Sequence, residues 1–279
     1  MLADVVGYLR CPHCARELEL AGGSVGCAEG HTFDVARQGY VSLLRGGPRA
    51  ARGDTAGMVA ARDSFLAAGH FDPLAEALAG AAGRVGGDGC VVDLGAGTGW
   101  QLARVLDALP ARQGVALDVS APALRRAARA HVRIGAVGCD VWGPLPLRDR
   151  VAGLVLNVFA PRNGAEMARL LPRGGSLLVV TPTTRHLYEL VEGLGLLSVD
   201  SRKQERLDRE LAGHFQVAHA EVREWEMTLS RADLEAVVAM GPSAVHLDPG
   251  TLRRRLENLP ERVEVSASVT MSVCEPNRG

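Results

Sequence analysis

Three cysteines and one histidine lie close together near the N-terminus, in the types and order that bind zinc. Two residues separate Cys11 from Cys14, and Cys27 and His31 follow after a spacer of twelve residues. The first pair fits a tight knuckle, and the spacer is long enough for a hairpin that returns the second pair to the same ion. Three thiolates and one imidazole complete a tetrahedral site with no open position, which predicts a structural zinc ion. His13 as fourth ligand, or a redox-active cysteine pair, is the alternative.

A second group of residues has the pattern of a cofactor site at the ends of three predicted strands. In "VVDLGAGTGW", Asp93 precedes Gly95 and Gly97, and glycines allow the turn to approach a ligand closely. Asp118 ends the next predicted strand in "ALDVS", and Asp140 follows the third in "GCDV". Because parallel strands end at the same edge of a sheet, these residues are expected to face one ligand.

The acidic residues favour S-adenosylmethionine over a dinucleotide as that ligand. Asp93 can engage the ammonium of the methionine part, directly or through water, whereas it would repel a pyrophosphate. Asp118 is placed for both ribose hydroxyls, and Asp140 for the adenine amino group. A dinucleotide-dependent enzyme, or a fold without activity, is the alternative. The stretch "NVFAP" that begins at Asn157 lacks the Asn/Asp-Pro-Pro-aromatic motif of enzymes that methylate exocyclic amines.

Predicted strands alternate with predicted helices around these residues. The helical segments "WQLARVLDAL", "APALRRAARAH" and "AEMARLL" separate apolar runs, which predicts an α/β fold with a parallel, doubly wound sheet. From Val91 to Pro182, the glycine turn and the two acidic strand ends follow the class I (Rossmann-like) methyltransferase pattern. Gly69 and Pro73 are expected to divide a helical stretch into two. The C-terminal part predicts a strand, a helix and a final strand.

Composition places the chain among soluble globular proteins. Hydrophobic residues make up 47% and charged residues 23%, and the net charge is −1. No apolar run is long enough to span a bilayer and no leader is visible, so we expect a cytoplasmic protein without membrane contact. We predict a zinc-binding domain over residues 1–44, a linker rich in glycine, proline and arginine over 45–57, and a Rossmann-like methyltransferase domain over 58–279.

These motifs together resemble one protein family along nearly the whole chain. The cysteine and histidine cluster is followed by "HTFDVARQGYVSLL", "GDTAGMVAARDSFLAAGHFDPL" and "VVDLGAGTGW". This combination is similar to the RlmA family of 23S rRNA (guanine-N1)-methyltransferases, and the Arg/Ala/Gly-rich composition favours its TlrB-type, tylosin-resistance branch. The resemblance implies methyl transfer from S-adenosylmethionine to N1 of a guanine, in a 23S rRNA hairpin near the peptide exit tunnel. It also implies macrolide resistance and a homodimer whose cleft holds the hairpin.

The resemblance further implies side chains that contact the cofactor. They are Phe71 in "GHFDPL", Trp100 and Gln101 directly after the glycine turn, and His186 in "TPTTRHLYEL". Phe71 stands where the family usually has tyrosine, so a stacking or shape role remains while the hydroxyl is lost. The alternatives are that Phe71 and Trp100 are ordinary core aromatics and that His186 caps a helix.

The catalytic base is not evident from the sequence. Removal of the N1 proton of guanine requires a base or a hydrogen-bond acceptor, and the candidates are Asp54 and Asn157, the latter through its carbonyl or amide. For Asp54 the alternative is a helix N-cap.

Arginine clusters are candidate contacts for RNA phosphates. Lysine occurs once, at Lys203, among the 31 basic residues. The clusters are Arg45, Arg49 and Arg52 in the linker and the runs 202–206 and 253–255, and solvated surface is the alternative for each. A methyltransferase that acts on a small natural product, or a non-catalytic RNA-binding protein, is the alternative function.

Overall fold

The computed structural model describes residues 1–45, 53–194, 211–241 and 249–277. The strands in this part of the chain are β1 (Glu19–Ala21), β2 (Ser24–Gly26), β3 (Thr32–Asp34), β4 (Tyr40–Ser42), β5 (Cys90–Leu94), β6 (Gly114–Asp118), β7 (Ile134–Gly138), β8 (Ala152–Val158), β9 (Ser176–Pro182), β10 (Phe215–Ser230) and β11 (Arg262–Pro276). The helices are α1 (Leu2–Val5), α2 (Ala56–Ala67), α3 (Asp72–Ala82), α4 (Trp100–Ala108), α5 (Ala121–Ala130), α6 (Gly164–Leu170), α7 (Tyr188–Leu194), α8 (Arg231–Ala239) and α9 (Pro249–Glu257). None of these helices is both long and apolar enough to cross a bilayer.

One eight-stranded sheet forms the centre of the fold, in the order β10-β11-β9-β8-β5-β6-β7-β4. The strands from β9 to β4 run parallel, whereas β11 pairs antiparallel with both β9 and β10. The α/β prediction is confirmed, and this order is that of a class I methyltransferase. The expectation of a parallel sheet fails at β11, which runs antiparallel between β9 and β10. The order reverses at β5, so the loop after β5 lies at the topological switch point where ligands bind in open α/β sheets.

The central strands are buried on both faces, as strands covered by helices must be. Every residue of β5 and of β7 is buried, which explains why they consist almost entirely of small and aliphatic residues. Two apolar clusters form the core on the two faces of the sheet, and one of them includes the N-terminal segment. This packing holds the carboxyl ends of β5, β6 and β7 in fixed positions.

The predicted helix break is confirmed. Helix α2 ends at Ala67, Gly69 follows with a φ of +82°, and Pro73 lies in the first turn of α3. Glycine is favoured there because a left-handed φ is costly for a residue with a Cβ. Helix α2 begins at Ala56, so the last two residues of the predicted linker are helical. Its N-cap is Thr55, whose side chain accepts a hydrogen bond from the backbone N–H of Met58 at 3.3 Å, so Asp54 is not the N-cap.

The N-terminal segment packs against the edge of the large sheet. Strands β1, β2 and β3 form a small antiparallel sheet of their own. However, β4 pairs parallel with β7, and α1 packs so closely on β7 that a Cβ on Gly135 would lie 2.1 Å from Val5 Cγ2. The three-part division at residues 44 and 57 stays a prediction, and the first 44 residues contribute a strand and a helix to the edge of the methyltransferase sheet.

Candidate functional site

The four predicted zinc ligands come together in the N-terminal segment. The ligand atoms of Cys11, Cys14, Cys27 and His31 all lie within 4.8 Å of one another. Cys14 Sγ is 3.6 Å from Cys27 Sγ, and His31 Nδ1 is 3.4 Å from Cys27 Sγ and 3.6 Å from Cys11 Sγ. A tetrahedral zinc with Zn–S bonds of about 2.3 Å and a Zn–N bond of about 2.0 Å holds its ligands roughly 3.5–3.8 Å apart. The cluster therefore fits one zinc ion with Nδ1 as the histidine ligand.

His13 lies beside the cluster and is not part of it. Its ring stacks on Phe33, with centroids 5.9 Å apart, and its centroid is 5.0 Å from that of His31.

Desolvation opposes ionisation of the Cys27 thiol, but hydrogen bonds from the side chain and backbone of His31 outweigh it and lower the pKa of Cys27 to about 6. A thiol that ionises readily suits a zinc ligand, because zinc binds the thiolate.

The glycine turn after β5 is held against the end of β6. Gly95 and Gly97 have φ angles of +69° and +55°, and the Gly97 N–H donates to Asp118 Oδ2 at 2.8 Å. The Ser120 N–H donates to the other oxygen, Oδ1, at 2.8 Å. A Cβ on Gly95 would lie 2.7 Å from Ala160 Cβ, so the turn has no room for a larger residue. Burial raises the pKa of Asp118, and the two backbone N–H groups oppose that effect.

A cavity of about 320 Å³ opens over this turn. Its volume falls in the range of about 300–1,000 Å³ that is typical of small-molecule sites. Six of the predicted site residues line it, namely Asp54, Gly95, Gly97, Gln101, Asp118 and Asp140. Asp140 Oδ1 accepts a hydrogen bond from the backbone N–H of Trp142 at 3.0 Å, which fixes the carboxylate at the wall. The carboxyl ends of β5, β6 and β7 thus meet around one cavity, as expected.

Asp93 is not among the residues that line the cavity. It is 2% exposed, and burial, with a smaller effect of the Asp118 charge, raises the pKa of Asp93 to about 8. Its carboxyl is therefore mostly protonated at pH 7 unless a cation comes close. A contact with the methionine ammonium stays a prediction.

Three of the other predicted residues are also absent from the cavity lining. The Phe71 ring is buried, with its centroid 6.2 Å from those of Phe159 and His186. His186 Nδ1 accepts a hydrogen bond from the Ser268 N–H at 3.2 Å, and burial lowers the pKa of His186 to about 4. Trp100 packs on the core beneath the Arg104 guanidinium, 5.3 Å from the ring centroid. Their cofactor contacts stay predictions.

The two candidates for the base lie in different surroundings. The Asp54 carboxylate lines the cavity and accepts a hydrogen bond from Arg62 Nη1. Asn157 is 1% exposed, its Nδ2 donates to the Pro161 carbonyl at 2.8 Å, and its buried Oδ1 has no hydrogen-bond partner in the described structure. Asn157 does not line the cavity. Of the two candidates, the structure therefore brings only Asp54 to the cavity, where its carboxylate is bound by Arg62.

Several residues of the cavity wall were not identified from the sequence. Arg62 is one of them. It lies eight residues after Asp54 in "GDTAGMVAARDSF", about two turns into α2. Trp142 and Phe159 are two more, 57% and 41% exposed, and Phe159 has a φ of +53°, which is rare for a bulky side chain. In "NVFAP", Phe159 directly follows the end of a predicted strand, and this position could have identified it as a residue of the cavity wall.

The arginine clusters are only partly within the described structure. Arg45 is exposed, whereas Arg49, Arg52 and the run 202–206 lie outside the described residues. Arg254 and Arg255 lie in α9, and the side chain of Arg253 is outside the description. These clusters stay predicted RNA contacts.

Comparisons with known proteins match the N-terminal segment to a known family and find relatives over nearly the whole chain. The family description "RlmA, N-terminal", a zinc ribbon, matches residues 9–45. A protein from Streptomyces fradiae named 23S rRNA (guanine(748)-N(1))-methyltransferase is 53% identical, over 99% of this chain and 99% of its own. A relative from Micromonospora griseorubida is 50% identical, over 99% of this chain and 100% of its own.

Solved structures show only a distant likeness. A SAM-dependent methyltransferase from Thiobacillus denitrificans, in complex with S-adenosyl-L-homocysteine, is 16% identical and has a TM-score of 0.45, over 74% of this chain and 92% of its own. The fold assignment therefore depends on the strand order, and the family assignment on the two full-length relatives. With a zinc ribbon at residues 9–45 and a relative that is 53% identical over 99% of its length, this chain belongs to the family of 23S rRNA (guanine-N1)-methyltransferases.

Proposed function

We propose that this protein transfers the methyl group of S-adenosylmethionine to N1 of a guanine in 23S rRNA. The observation that carries the proposal is the cavity over the glycine turn, in which Asp118 is tied to Gly97 and faces Asp140 across the ends of neighbouring strands. The name of the Streptomyces fradiae relative supports the substrate.

The cavity residues fit the groups of the cofactor. Each oxygen of Asp118 accepts one backbone hydrogen bond, which leaves a lone pair on each for a ribose hydroxyl. Asp140 uses Oδ1 for the Trp142 N–H, and its other oxygen is available to an adenine amino group. The left-handed Gly95 and Gly97 allow the backbone to approach the ligand. When bound, S-adenosylmethionine supplies an electrophilic methyl carbon.

The acceptor must lose its N1 proton, because protonated N1 of guanine is a poor nucleophile. Asp54 is the only one of the two candidate bases that lines the cavity, and its carboxylate is engaged by Arg62. Single-turnover methylation by Asp54→Asn tests this role. At saturating S-adenosylmethionine, a rate that falls by more than about a hundredfold supports general-base catalysis, and an unchanged rate eliminates Asp54 as the base.

The RNA is proposed to bind as a hairpin across the zinc segment, in the cleft of a homodimer. Among the described residues, the long strand β10 lies at the edge of the sheet, and its Val217 and Val222 are 62% and 60% exposed. This supports a second copy of the chain, because an open strand edge favours association. Sedimentation equilibrium tests the dimer. RNA affinity that falls steeply with salt would support phosphate contacts by arginines, and a flat response would contradict them.

In the cell, the protein is proposed to act in the cytoplasm and to give macrolide resistance of the tylosin type. Methylation of N1 blocks Watson–Crick pairing, so primer extension on 23S rRNA from cells that express the protein should stop one nucleotide before the target guanine. Cells with an Asp118→Asn variant serve as the control. Absence of any new stop would refute the proposed function, and a stop without increased tylosin tolerance would refute the resistance role alone.

A further inference from the structure

The charges around the cofactor cavity are unevenly distributed. Three carboxylates line it, those of Asp54, Asp118 and Asp140, whereas Arg62 is the single cation among the lining residues that the structure describes. Such a wall attracts the sulfonium and the ammonium of S-adenosylmethionine. It repels the carboxylate of the same molecule, which therefore needs a cationic partner.

The Arg62 guanidinium is held in place over the glycine turn. Its Nη1 donates to the Asp54 carboxylate, and its Nη2 donates to the Met240 carbonyl at 3.0 Å. A Cβ on Gly97 would lie 3.5 Å from Nη1, so the guanidinium is directly adjacent to the turn. Five N–H donors are available on a guanidinium, and these two contacts leave donors for a ligand.

The partner of Arg62 is itself anchored. Ser120 Oγ donates to the Asp54 backbone carbonyl at 2.7 Å, and a Cβ on Gly53 would lie 2.8 Å from Ser120 Cα and N. The segment from Gly53 to Asp54 therefore lies tightly on the loop that follows Asp118. This contact fixes the Asp54 carboxylate, and through it the guanidinium, relative to the ribose end of the cavity.

We propose that Arg62 binds the methionine carboxylate of S-adenosylmethionine and that Asp54 is its positioning residue. The inference rests on the proposed function only for the identity of the cofactor. It gives Asp54 a role in cofactor binding that does not depend on proton removal. A charge-assisted pair of this kind is expected to contribute about ten- to a hundredfold in affinity.

The test uses two ligands that differ only in this carboxylate. Calorimetry on the full chain, without RNA, measures binding of S-adenosylhomocysteine and of its decarboxylated analogue, which keeps the ammonium. The wild-type protein should bind S-adenosylhomocysteine about ten- to a hundredfold more tightly. Arg62→Gln should bind the two ligands equally and the analogue as tightly as wild type does, and Arg62→Lys should recover part of the preference.

A matched control breaks an ion pair that Asp63, the residue after Arg62 in α2, forms with Arg126 of α5. Arg126 Nη1 lies 2.8 Å from Asp63 Oδ2, away from the cavity, and Arg126→Gln should leave both affinities unchanged. Equal weakening of both ligands by Arg62→Gln, or a preference that persists in this variant, would overturn the inference alone. Failure of the wild-type protein to bind S-adenosylhomocysteine would overturn the proposed function as well.

Discussion

The buried carboxyl of Asp93 makes a specific prediction about stability and pH. Asp93 is 2% exposed, and burial raises its pKa from the ordinary 3.8 to about 8 in the folded state. Because the folded-state pKa lies above the unfolded-state value, the neutral carboxyl stabilises the fold at low pH. This contribution is lost as the pH rises from about 4 through about 8, since the unfolded chain releases the proton first. Asp93→Asn removes this pH dependence while keeping a neutral side chain of nearly the same shape.

The change in the free energy of unfolding with pH can be calculated from the raised pKa of Asp93. Between pH 5 and pH 8 the unfolded-state carboxyl is ionised, whereas the folded-state carboxyl stays mostly neutral until the pH approaches 8. The two states therefore differ by about one proton over a span of about three pH units. At about 1.4 kcal/mol per unit, the free energy of unfolding of the wild type should fall by about 4 kcal/mol more than that of Asp93→Asn over this range. This value is an upper bound, because the buried site can relax when it ionises.

Urea denaturation of both proteins at pH 5 and pH 8, without cofactor, measures this difference. Comparing the change with pH cancels any constant cost of the substitution itself. Asp88→Asn, which alters an exposed carboxyl in the loop before β5, is the control and should follow the wild type. If Asp93→Asn loses as much stability as the wild type between the two pH values, the folded-state carboxylate is charged and the reasoning is wrong.

Four further predictions concern the zinc cluster and the cavity. Cys27→Ser should abolish stoichiometric zinc by atomic absorption and lower the melting temperature, because a structural zinc contributes folding free energy; one retained zinc per chain would contradict it. Chelation of zinc should weaken RNA binding in filter assays more than cofactor binding in calorimetry, and the reverse would show that the zinc segment supports the cofactor site. Gly95→Ala should cost about 1–3 kcal/mol in urea denaturation and abolish S-adenosylhomocysteine binding, because φ is +69° and its Cβ would lie 2.7 Å from Ala160 Cβ; normal binding would show that the turn can adapt. Asp118→Asn should weaken S-adenosylhomocysteine by about tenfold or more in calorimetry, because an amide cannot accept from both the Gly97 and Ser120 N–H groups; unchanged affinity would remove the proposed ribose contact.

Features that depend on neighbouring residues were predictable from the sequence. The spacing from Cys11 to His31 matches the four-ligand cluster, because a knuckle and a short hairpin have few possible geometries. The break at Gly69 is local too, since it needs one left-handed residue. The alternation of strands and helices predicted the α/β class, because buried parallel strands and amphipathic helices have distinct patterns.

Features that depend on contacts between distant segments were not predictable. The antiparallel placement of β11 beside β9 and the addition of β4 to the sheet edge beside β7 are pairings between segments that lie far apart along the chain. The position of Phe71 and His186 behind the wall, next to Phe159, depends on how α3 and the loop after β9 pack. Sequence spacing carries no information on such side-chain directions between elements.

By itself, the sequence determined the chemistry that is available: a zinc-binding set, a glycine turn, acidic strand ends and the fold class that brings those ends to one edge. Only the tertiary structure decided which side chains share the cavity. It brought Arg62 from α2 beside Asp54 and Gly97, and it left Asp93 buried beyond the cavity wall. The physical reason is that motifs are set by local backbone geometry, whereas the position of a charge relative to a cavity depends on the packing of segments that lie far apart along the chain.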